Sequence, residues 1–196
     1  CGIVSNPMEH GEASKLALYG VADYTWNIAN YNAIDNWERG LAELVPEATD
    51  AYRTFAIHSS DTENGYRRDE SWETQTFRLA DWTDEAANAL EEEFKKVESA
   101  PAHLESSCKN AALINELRPW LREFGKLGTR GKQAIELARI YRSGKDDALF
   151  WEKYIQNIMT PEDRRSYEAH KSGTLKLQPF YENVMDDMAH GYLKKL

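Results

Sequence analysis

Two pairs of adjacent carboxylates have the residue types and spacing that acid–base catalysis can use. Asp146-Asp147 and Asp186-Asp187 could each place a general acid beside a general base. Asp146-Asp147 follows a Ser-Gly break at the predicted start of a helix, where acids favour the positive end of the helix macrodipole. Asp186-Asp187 falls inside an amphipathic stretch and is expected to face water. We therefore predict structural roles for both pairs, with a helical enzyme using Asp146-Asp147 as the weakest alternative.

The other reactive residue types give no recognisable site. The chain has five histidines without metal-ligand spacing: His10, His58, His103, His170 and His190. Cys1 and Cys108 lie outside any C-x-x-C pattern, so two unpaired thiols are expected, and a disulfide between them is the less favoured alternative. The stretch 128–132 (GTRGK) has the ingredients of a phosphate loop without its spacing. No metal ion and no cofactor are therefore expected.

Composition limits the classes of partner. The 196 residues carry a formal net charge of −9, which argues against a nucleic-acid surface because phosphate binding needs a basic stripe. No apolar run approaches the roughly 20 residues of a membrane span. Hydrophobic content of 41%, with six Trp and ten Tyr, is ample for one globular core.

Apolar residues recur at helical spacing through most of the chain, and strand-type alternation is nearly absent. An N-cap candidate, a proline and an acid within 6–9 predict a capping box and a helix running to about Ile28. Further helical patterns are predicted at 37–45, 47–58, 83–97, 101–119, 135–141, 149–158, 160–170 and 180–192, with a break at Ser143-Gly144. The predicted fold class is therefore all-α, a helical bundle.

Prolines and glycines mark the predicted breaks in this pattern. Pro101 is predicted to open a new helix, which continues past Pro119 or kinks there. Gly125, Gly128 and Gly131 predict a turn, and the polar stretch 59–66 predicts a long loop.

The beginning of the chain has a different character. Ile3-Val4, followed by Ser5-Asn6-Pro7 and a helix, is typical of one βα unit of a (β/α)₈ barrel, where the loop after a strand holds substrate. The Asn6 amide can donate to and accept from sugar hydroxyls, although the residues alone favour a role as N-cap of the following helix. Because the chain starts in mid-strand, we expect it to be the C-terminal part of a larger enzyme.

Two stretches resemble a known family. SNPMEHGEASKLALYGVADYTWN (5–27) closely resembles the end of the catalytic domain in glycoside hydrolase family 84, the β-N-acetylglucosaminidases. Bacterial members of this family are often labelled hyaluronidases and are used as O-GlcNAcase models. YNAIDNWERGLAELVPEATDAYRTFAIHSS (31–60) resembles the start of the family's post-catalytic helical domain. The resemblance implies that 1–30 is a remnant of the barrel and that 31–196 is the helical bundle.

The resemblance also implies a function. In the family, the asparagine of this Asn-Pro motif hydrogen-bonds the bound N-acetylglucosamine (GlcNAc), which makes Asn6 a substrate-binding candidate. Members of the family are retaining exo-β-N-acetylglucosaminidases. In their reaction the acetamide group of the substrate itself attacks the anomeric carbon. The two assisting Asp residues lie upstream of this motif. We therefore expect no catalytic residue in this chain and no activity from it alone.

The implied partners are the missing catalytic barrel and, in the intact enzyme, a GlcNAc-containing glycan or glycoprotein. A first helix that has lost its barrel strands is also expected to self-associate. By resemblance the enzyme would be bacterial and periplasmic or secreted. The competing hypothesis is a stand-alone helical interaction module without a catalytic role.

Overall fold

A computed structural model describes residues 3–5, 9–59 and 78–194. Within these ranges the chain forms eight α-helices: α1 (Gly11–Trp26), α2 (Ala33–Leu44), α3 (Thr49–Ser59), α4 (Asp84–Ser107), α5 (Ala111–Ser143), α6 (Asp147–Asn157), α7 (Pro161–Ala169) and α8 (Leu177–Leu193). Single 3₁₀ turns lie at Ile28–Asn30 and Leu79–Asp81. No β-strand occurs in the described part of the chain, so the all-α prediction is confirmed. Ile3 and Val4, where a strand was predicted, are exposed and irregular because no neighbouring strand takes up their backbone hydrogen bonds.

The centre of the bundle is the pair formed by α4 and α5, the most extensive helix–helix contact in the described residues. The two helices are antiparallel, since Phe94 lies against Gly131, Glu98 against Gly128 and Pro101 against Gly125. α3 packs on α4, while α6 and α8 pack on α5. Four fully buried phenylalanines fill the core between these helices: Phe94, Phe124, Phe150 and Phe180.

The predicted turn at Gly125, Gly128 and Gly131 is wrong, because all three residues lie inside α5. A Cβ atom at Gly128 would stand 2.3 Å from the backbone nitrogen of Glu98, and one at Gly131 would stand 2.2 Å from the Phe94 ring. The missing side chains therefore let α4 approach α5 closely. We call this contact, formed by Phe94, Glu98, Gly128 and Gly131, the glycine seam.

The predicted break at Pro101 is also wrong, because Pro101 lies inside α4 and the helix continues to Ser107. The missing N–H costs one hydrogen bond, and the packing of α4 against α5 outweighs that loss. α5 begins instead after Asn110, whose Oδ1 accepts from the Leu113 N–H at 3.1 Å. It continues through Pro119, one of the two outcomes predicted there.

Most other predicted boundaries are confirmed. The N-caps of α4, α6 and α7 are Thr83, Asp146 and Thr160, and Thr160 forms a capping box with Asp163. Gly144 ends α5 in the left-handed conformation, with φ of 61°. The loop predicted at 59–66 lies outside the described residues, except for Ser59, which ends α3.

Candidate functional site

Asn6, the predicted substrate-binding residue, lies outside the described residues together with Pro7 and Met8. The described residues that follow correct the predicted start of the first helix. Glu9 and His10 are not helical, and α1 begins at Gly11. The capping box predicted to begin the helix at 6–9 is therefore wrong for the part of it that the structure describes.

A carboxylate from a distant helix caps α1. The N-cap residue His10 makes no side-chain cap hydrogen bond. Instead, Oε2 of Glu116 on α5 accepts from the backbone N–H of Glu12 at 2.9 Å and from that of Ala13 at 3.0 Å. These amides have no acceptor within their own helix. A negative charge at this end of α1 also interacts favourably with the helix dipole. The start of α1 is therefore set by the bundle.

A second contact ties the same two helices in the opposite direction. Asn110, the N-cap of α5, donates from Nδ2 to Oε2 of Glu12 at 2.6 Å. Glu12 also accepts from Lys15 at 2.6 Å. The hydrogen bonds from Lys15 and then Asn110 hold the pKa of Glu12 below its usual value, so the carboxylate is ionised and available as an acceptor near neutral pH.

Aromatic rings hold the residue that leads into α1. The His10 ring meets the Trp120 ring edge to face, with centroids 5.1 Å apart, and Trp120 meets His170 at the same separation. A groove of about 530 Å³ lies beside these rings, and its mostly apolar lining includes Trp37 of α2 and Phe55 of α3. The segment entering α1 is therefore fixed by both polar and aromatic contacts to α5.

The other side of α1 is open. No residue of α1 is fully buried, although Ala13 and Leu16 pack against the core. Large apolar residues at and after the end of α1 are between 38% and 94% exposed: Val21, Tyr24, Trp26, Ile28 and Ile34. We call these five residues the uncovered face. Exposed apolar residues that form one continuous surface commonly mark a site of protein interaction.

The first carboxylate pair has the structural role that the sequence predicted. Asp146 caps α6 by accepting from the Leu149 N–H at 2.8 Å. Asp147 accepts from the Tyr192 hydroxyl at 2.5 Å, which joins the start of α6 to the end of α8. Because both carboxylates are held by structural contacts, they give no support to a helical enzyme using this pair.

The two carboxylates of the second pair, Asp186-Asp187, have different environments. Asp186 is exposed, as predicted. Asp187, by contrast, does not simply face water: it accepts from the Leu79 N–H at 2.9 Å and forms an ion pair with Arg78. Sequence reasoning missed this contact because the partners are more than 100 residues apart.

The histidine and cysteine residues bring no reactive cluster together in the described ranges. His58 is 1% exposed, and its Nε2 lies 2.8 Å from Oε1 of Glu93. Cys108 carries a free thiol, whereas Cys1 lies outside the described residues. The described part of the chain contains no group of three or more His, Cys, Asp or Glu side chains that could hold a metal ion. None of its helices is long and apolar enough to cross a membrane.

Comparison with known proteins connects these features. Residues 1–57 match the family model described as beta-N-acetylglucosaminidase, and residues 72–170 match the model described as hyaluronidase post-catalytic domain-like. The fold is similar to the solved structure of CpGH84D, with a TM-score of 0.80, 24% identity and coverage of 96% of this chain and 35% of that chain. For CpGH84B the TM-score is 0.77 at 28% identity, covering 91% of this chain and 32% of that chain.

The chain thus spans about a third of the length of these two solved structures. The post-catalytic match covers about half of the present chain, and the beta-N-acetylglucosaminidase match lies before it in sequence, separated from it by residues 58–71. The chain belongs to the hyaluronidase post-catalytic domain-like family and corresponds to the C-terminal helical region of glycoside hydrolase family 84 β-N-acetylglucosaminidases.

Proposed function

We propose that this chain supports the catalytic barrel of a retaining exo-β-N-acetylglucosaminidase that removes GlcNAc from glycans or glycoproteins. In this proposal residues 1–30 complete the barrel, and residues 31–196 form the helical domain behind it. The observation that carries the proposal is the adjacency of the two family matches along one chain, 1–57 and 72–170. The uncovered face supports it, because α1 lies within the beta-N-acetylglucosaminidase match and exposes apolar surface.

The barrel is the proposed occupant of the uncovered face. Trp26 is 94% exposed in this chain, and burying a side chain of this size on a partner would stabilise the complex by about 1.5–3 kcal/mol. In the chain alone the same surface is expected to promote self-association at high concentration. Sedimentation velocity over a range of concentrations tests this expectation, and a monodisperse monomer throughout would contradict it.

Asn6 is the proposed contribution of this chain to substrate binding. Its side chain would hydrogen-bond GlcNAc, while the substrate acetamide and carboxylates of the barrel carry out the chemistry. The Asp146 and Asp187 carboxylates accept structural hydrogen bonds, and we propose no catalytic role for them.

The experiment separates support from independent activity. The chain is assayed alone on a chromogenic GlcNAc glycoside, and again after addition of the separately produced catalytic barrel, with binding followed by calorimetry. We expect no hydrolysis by the chain alone and binding of the barrel. Replacing Trp26 and Ile28 by serine should weaken that binding about tenfold or more, while the melting temperature of the chain stays the same.

Hydrolysis by the chain alone would overturn the proposal. Failure of the barrel to bind would favour the stand-alone interaction module instead. Unchanged affinity in the Trp26→Ser, Ile28→Ser variant would show that the barrel docks elsewhere on the chain.

The role of Asn6 is tested in the protein that joins the barrel to this chain. Asn6→Ser keeps a small polar side chain but lacks the reach and the amide donor. Loss of one hydrogen bond to substrate should lower kcat/KM roughly threefold to a hundredfold, at an unchanged melting temperature. An unchanged kcat/KM would remove Asn6 from the substrate site.

A further inference from the structure

We propose that a groove between the ends of α5 and α8 binds a phosphate group, either free or as the monoester of a small organic molecule. The groove has a volume of about 580 Å³, which is within the range of sites that bind small molecules. Three permanently cationic side chains line it: Arg78, Arg142 and Lys194. This site is separate from the uncovered face and does not depend on the barrel.

The close approach of two helix ends brings the cations together. Arg142 lies in the last turn of α5, and Lys194 directly follows the last residue of α8. Gly191 of α8 makes this approach possible, because a Cβ atom there would overlap the hydroxyl oxygen of Tyr141 on α5. Side chains more than 50 residues apart in the sequence therefore line the same groove.

The carboxylate in the groove is already paired. Asp187 is the acidic residue among the described residues that line the groove. One of its oxygens accepts from the Leu79 N–H at 2.9 Å, and the other forms an ion pair with Arg78. The charges of Arg78 and Asp187 therefore offset each other. Arg142 and Lys194 remain, and neither side chain forms an ion pair or hydrogen bond within the described part of the chain.

The helix ends offset only part of the remaining charge. The C-terminus of an α-helix carries about half a negative charge, so the ends of α5 and α8 together contribute about one. Arg142 and Lys194 carry two positive charges, which leaves about one positive charge in the groove after the helix dipoles are counted. The chain as a whole carries −9, so the groove is opposite in sign to the rest of the molecule.

Phosphate matches this arrangement better than a carboxylate does. A phosphate monoester carries about −1.5 to −2 charges near pH 7 and has three strong acceptor oxygens. A guanidinium such as that of Arg142 can donate to two of these oxygens at once, while the Lys194 ammonium supplies a compact charge. His190 lines the same groove and offers a ring N–H as a further donor.

The rest of the lining suits a small organic group. Leu79, Ala80 and Tyr141 line the groove beside the cations. Small-molecule sites usually combine such apolar or aromatic surface with a few polar groups that orient the ligand. A ring attached to the phosphate would contact this surface, so we expect an aromatic monoester to bind more tightly than inorganic phosphate.

The experiment titrates the chain with inorganic phosphate and, separately, with phenyl phosphate. Ionic strength is held constant so that general screening does not change. Binding is followed by the ¹H–¹⁵N NMR signals of Leu79, Tyr141 and Gly191. We expect saturable shifts at these residues, with a Kd on the order of 1 mM for phosphate and a Kd about three to ten times lower for phenyl phosphate.

Charge-removing variants test which residues hold the phosphate. Arg142→Gln and Lys194→Gln should each raise Kd about fivefold, and the double variant should abolish saturable binding. Arg165→Gln is the matched control, because Arg165 is exposed on α7, does not line the groove and has no ion pair among the described residues. This control removes the same charge and should keep Kd within about twofold of the original value. All three positions are exposed, so the melting temperature should change little.

The possible outcomes are distinct. The absence of saturable shifts would overturn the proposal, and a lower melting temperature of Arg142→Gln in that case would leave Arg142 as a partner of the helix dipole alone. Equal weakening by Arg165→Gln would overturn it in favour of general attraction between charges. Unchanged binding by the double variant would place phosphate elsewhere on the chain. If the groove variants weaken both ligands but the two affinities are equal, the groove binds free phosphate and not an ester.

Discussion

The glycine seam and the attachment of α1 join helices in opposite ways. At the seam, Gly128 and Gly131 bring α5 so close to α4 that a single added carbon would overlap Glu98 or Phe94. α1 is instead held at its start by the Glu116 carboxylate and exposes large apolar residues at its far end. The seam joins α4 and α5, and both of these helices belong to the bundle. α1 instead exposes apolar side chains and buries no residue fully, so the bundle should be stable without α1 being tightly packed.

The largest expected effect tests whether the interior of the bundle is self-sufficient. His58 of α3 and Glu93 of α4 form a buried pair, and Lys96 lies 3.1 Å from the other Glu93 oxygen. Glu93→Ala leaves His58 without this partner and should lower the free energy of unfolding by about 3–5 kcal/mol. Chemical denaturation measures the loss. Glu93→Gln, which keeps a hydrogen-bonding oxygen, should lose less, and equal losses would show that volume matters more than the pair.

The same pair predicts a pH dependence. Burial acts to raise the pKa of Glu93, but the hydrogen bond and charge of His58, with Lys96, outweigh it and hold the pKa below the ordinary value of 4.5. A carboxyl whose pKa is lowered on folding stabilises the folded state above its unfolded pKa, and this contribution disappears as the pH falls through the folded pKa. Stability should therefore fall more steeply below about pH 4.5 in the native chain than in Glu93→Ala. Parallel curves would contradict this.

The next effect concerns the seam itself. Gly128→Ala would place Cβ 2.3 Å from a backbone nitrogen, which cannot rotate away, so the helices must separate at a cost of about 3 kcal/mol. Gly125→Ala is the matched control, because its Cβ would meet Pro101 at an ordinary 3.5 Å. The control should gain up to about 1 kcal/mol from helix propensity. Similar melting temperatures for the two variants would show that the close approach at Gly128 does not limit stability.

The seam also shows what the sequence could and could not predict. Helical spacing and N-caps such as Thr83 and Thr160 located the helices, because these signals act within one or two turns. Gly128 and Gly131 suggested a turn, because a glycine in a sequence can indicate either a turn or a close contact between helices. Only the position of α4 decides between the two.

The start of α1 was missed for a related reason. The sequence offered a local cap at Asn6, whereas the cap in the described residues comes from Glu116, which no local pattern connects to Glu12. Contacts across more than 100 residues depend on the whole bundle. The assignment of Asn6 to substrate binding came from family resemblance and stays a prediction.

A smaller effect is expected for a glycine-to-alanine substitution at the looser contact between α1 and α2. Gly40→Ala in α2 would place Cβ 3.0 Å from the Tyr19 ring and 3.3 Å from Leu16, both on α1. Since α1 has no fully buried residue, it can move by a few tenths of an ångström, and the net change in stability should stay within about 1 kcal/mol. Hydrogen exchange should nevertheless become faster in α1 while α4 and α5 keep their protection. A loss as large as that of Gly128→Ala would mean that α1 is packed as rigidly as the seam.

The smallest expected effect examines the uncovered face. Trp26 is 94% exposed and Trp82 is 7% exposed, so the two tryptophans form a matched pair within one chain. Trp82→Ala removes a buried ring and should cost about 3–5 kcal/mol. Trp26→Ala should change the free energy of unfolding by no more than about 0.5 kcal/mol, because it removes little contact within the bundle.

Once the barrel is joined to the chain, Trp26→Ala should become clearly destabilising, since the Trp26 ring would then be buried against the barrel. A loss above about 1 kcal/mol in the chain alone would mean that Trp26 already packs within the bundle or on a second copy of the chain. Dilution separates these two cases, because only self-association depends on concentration.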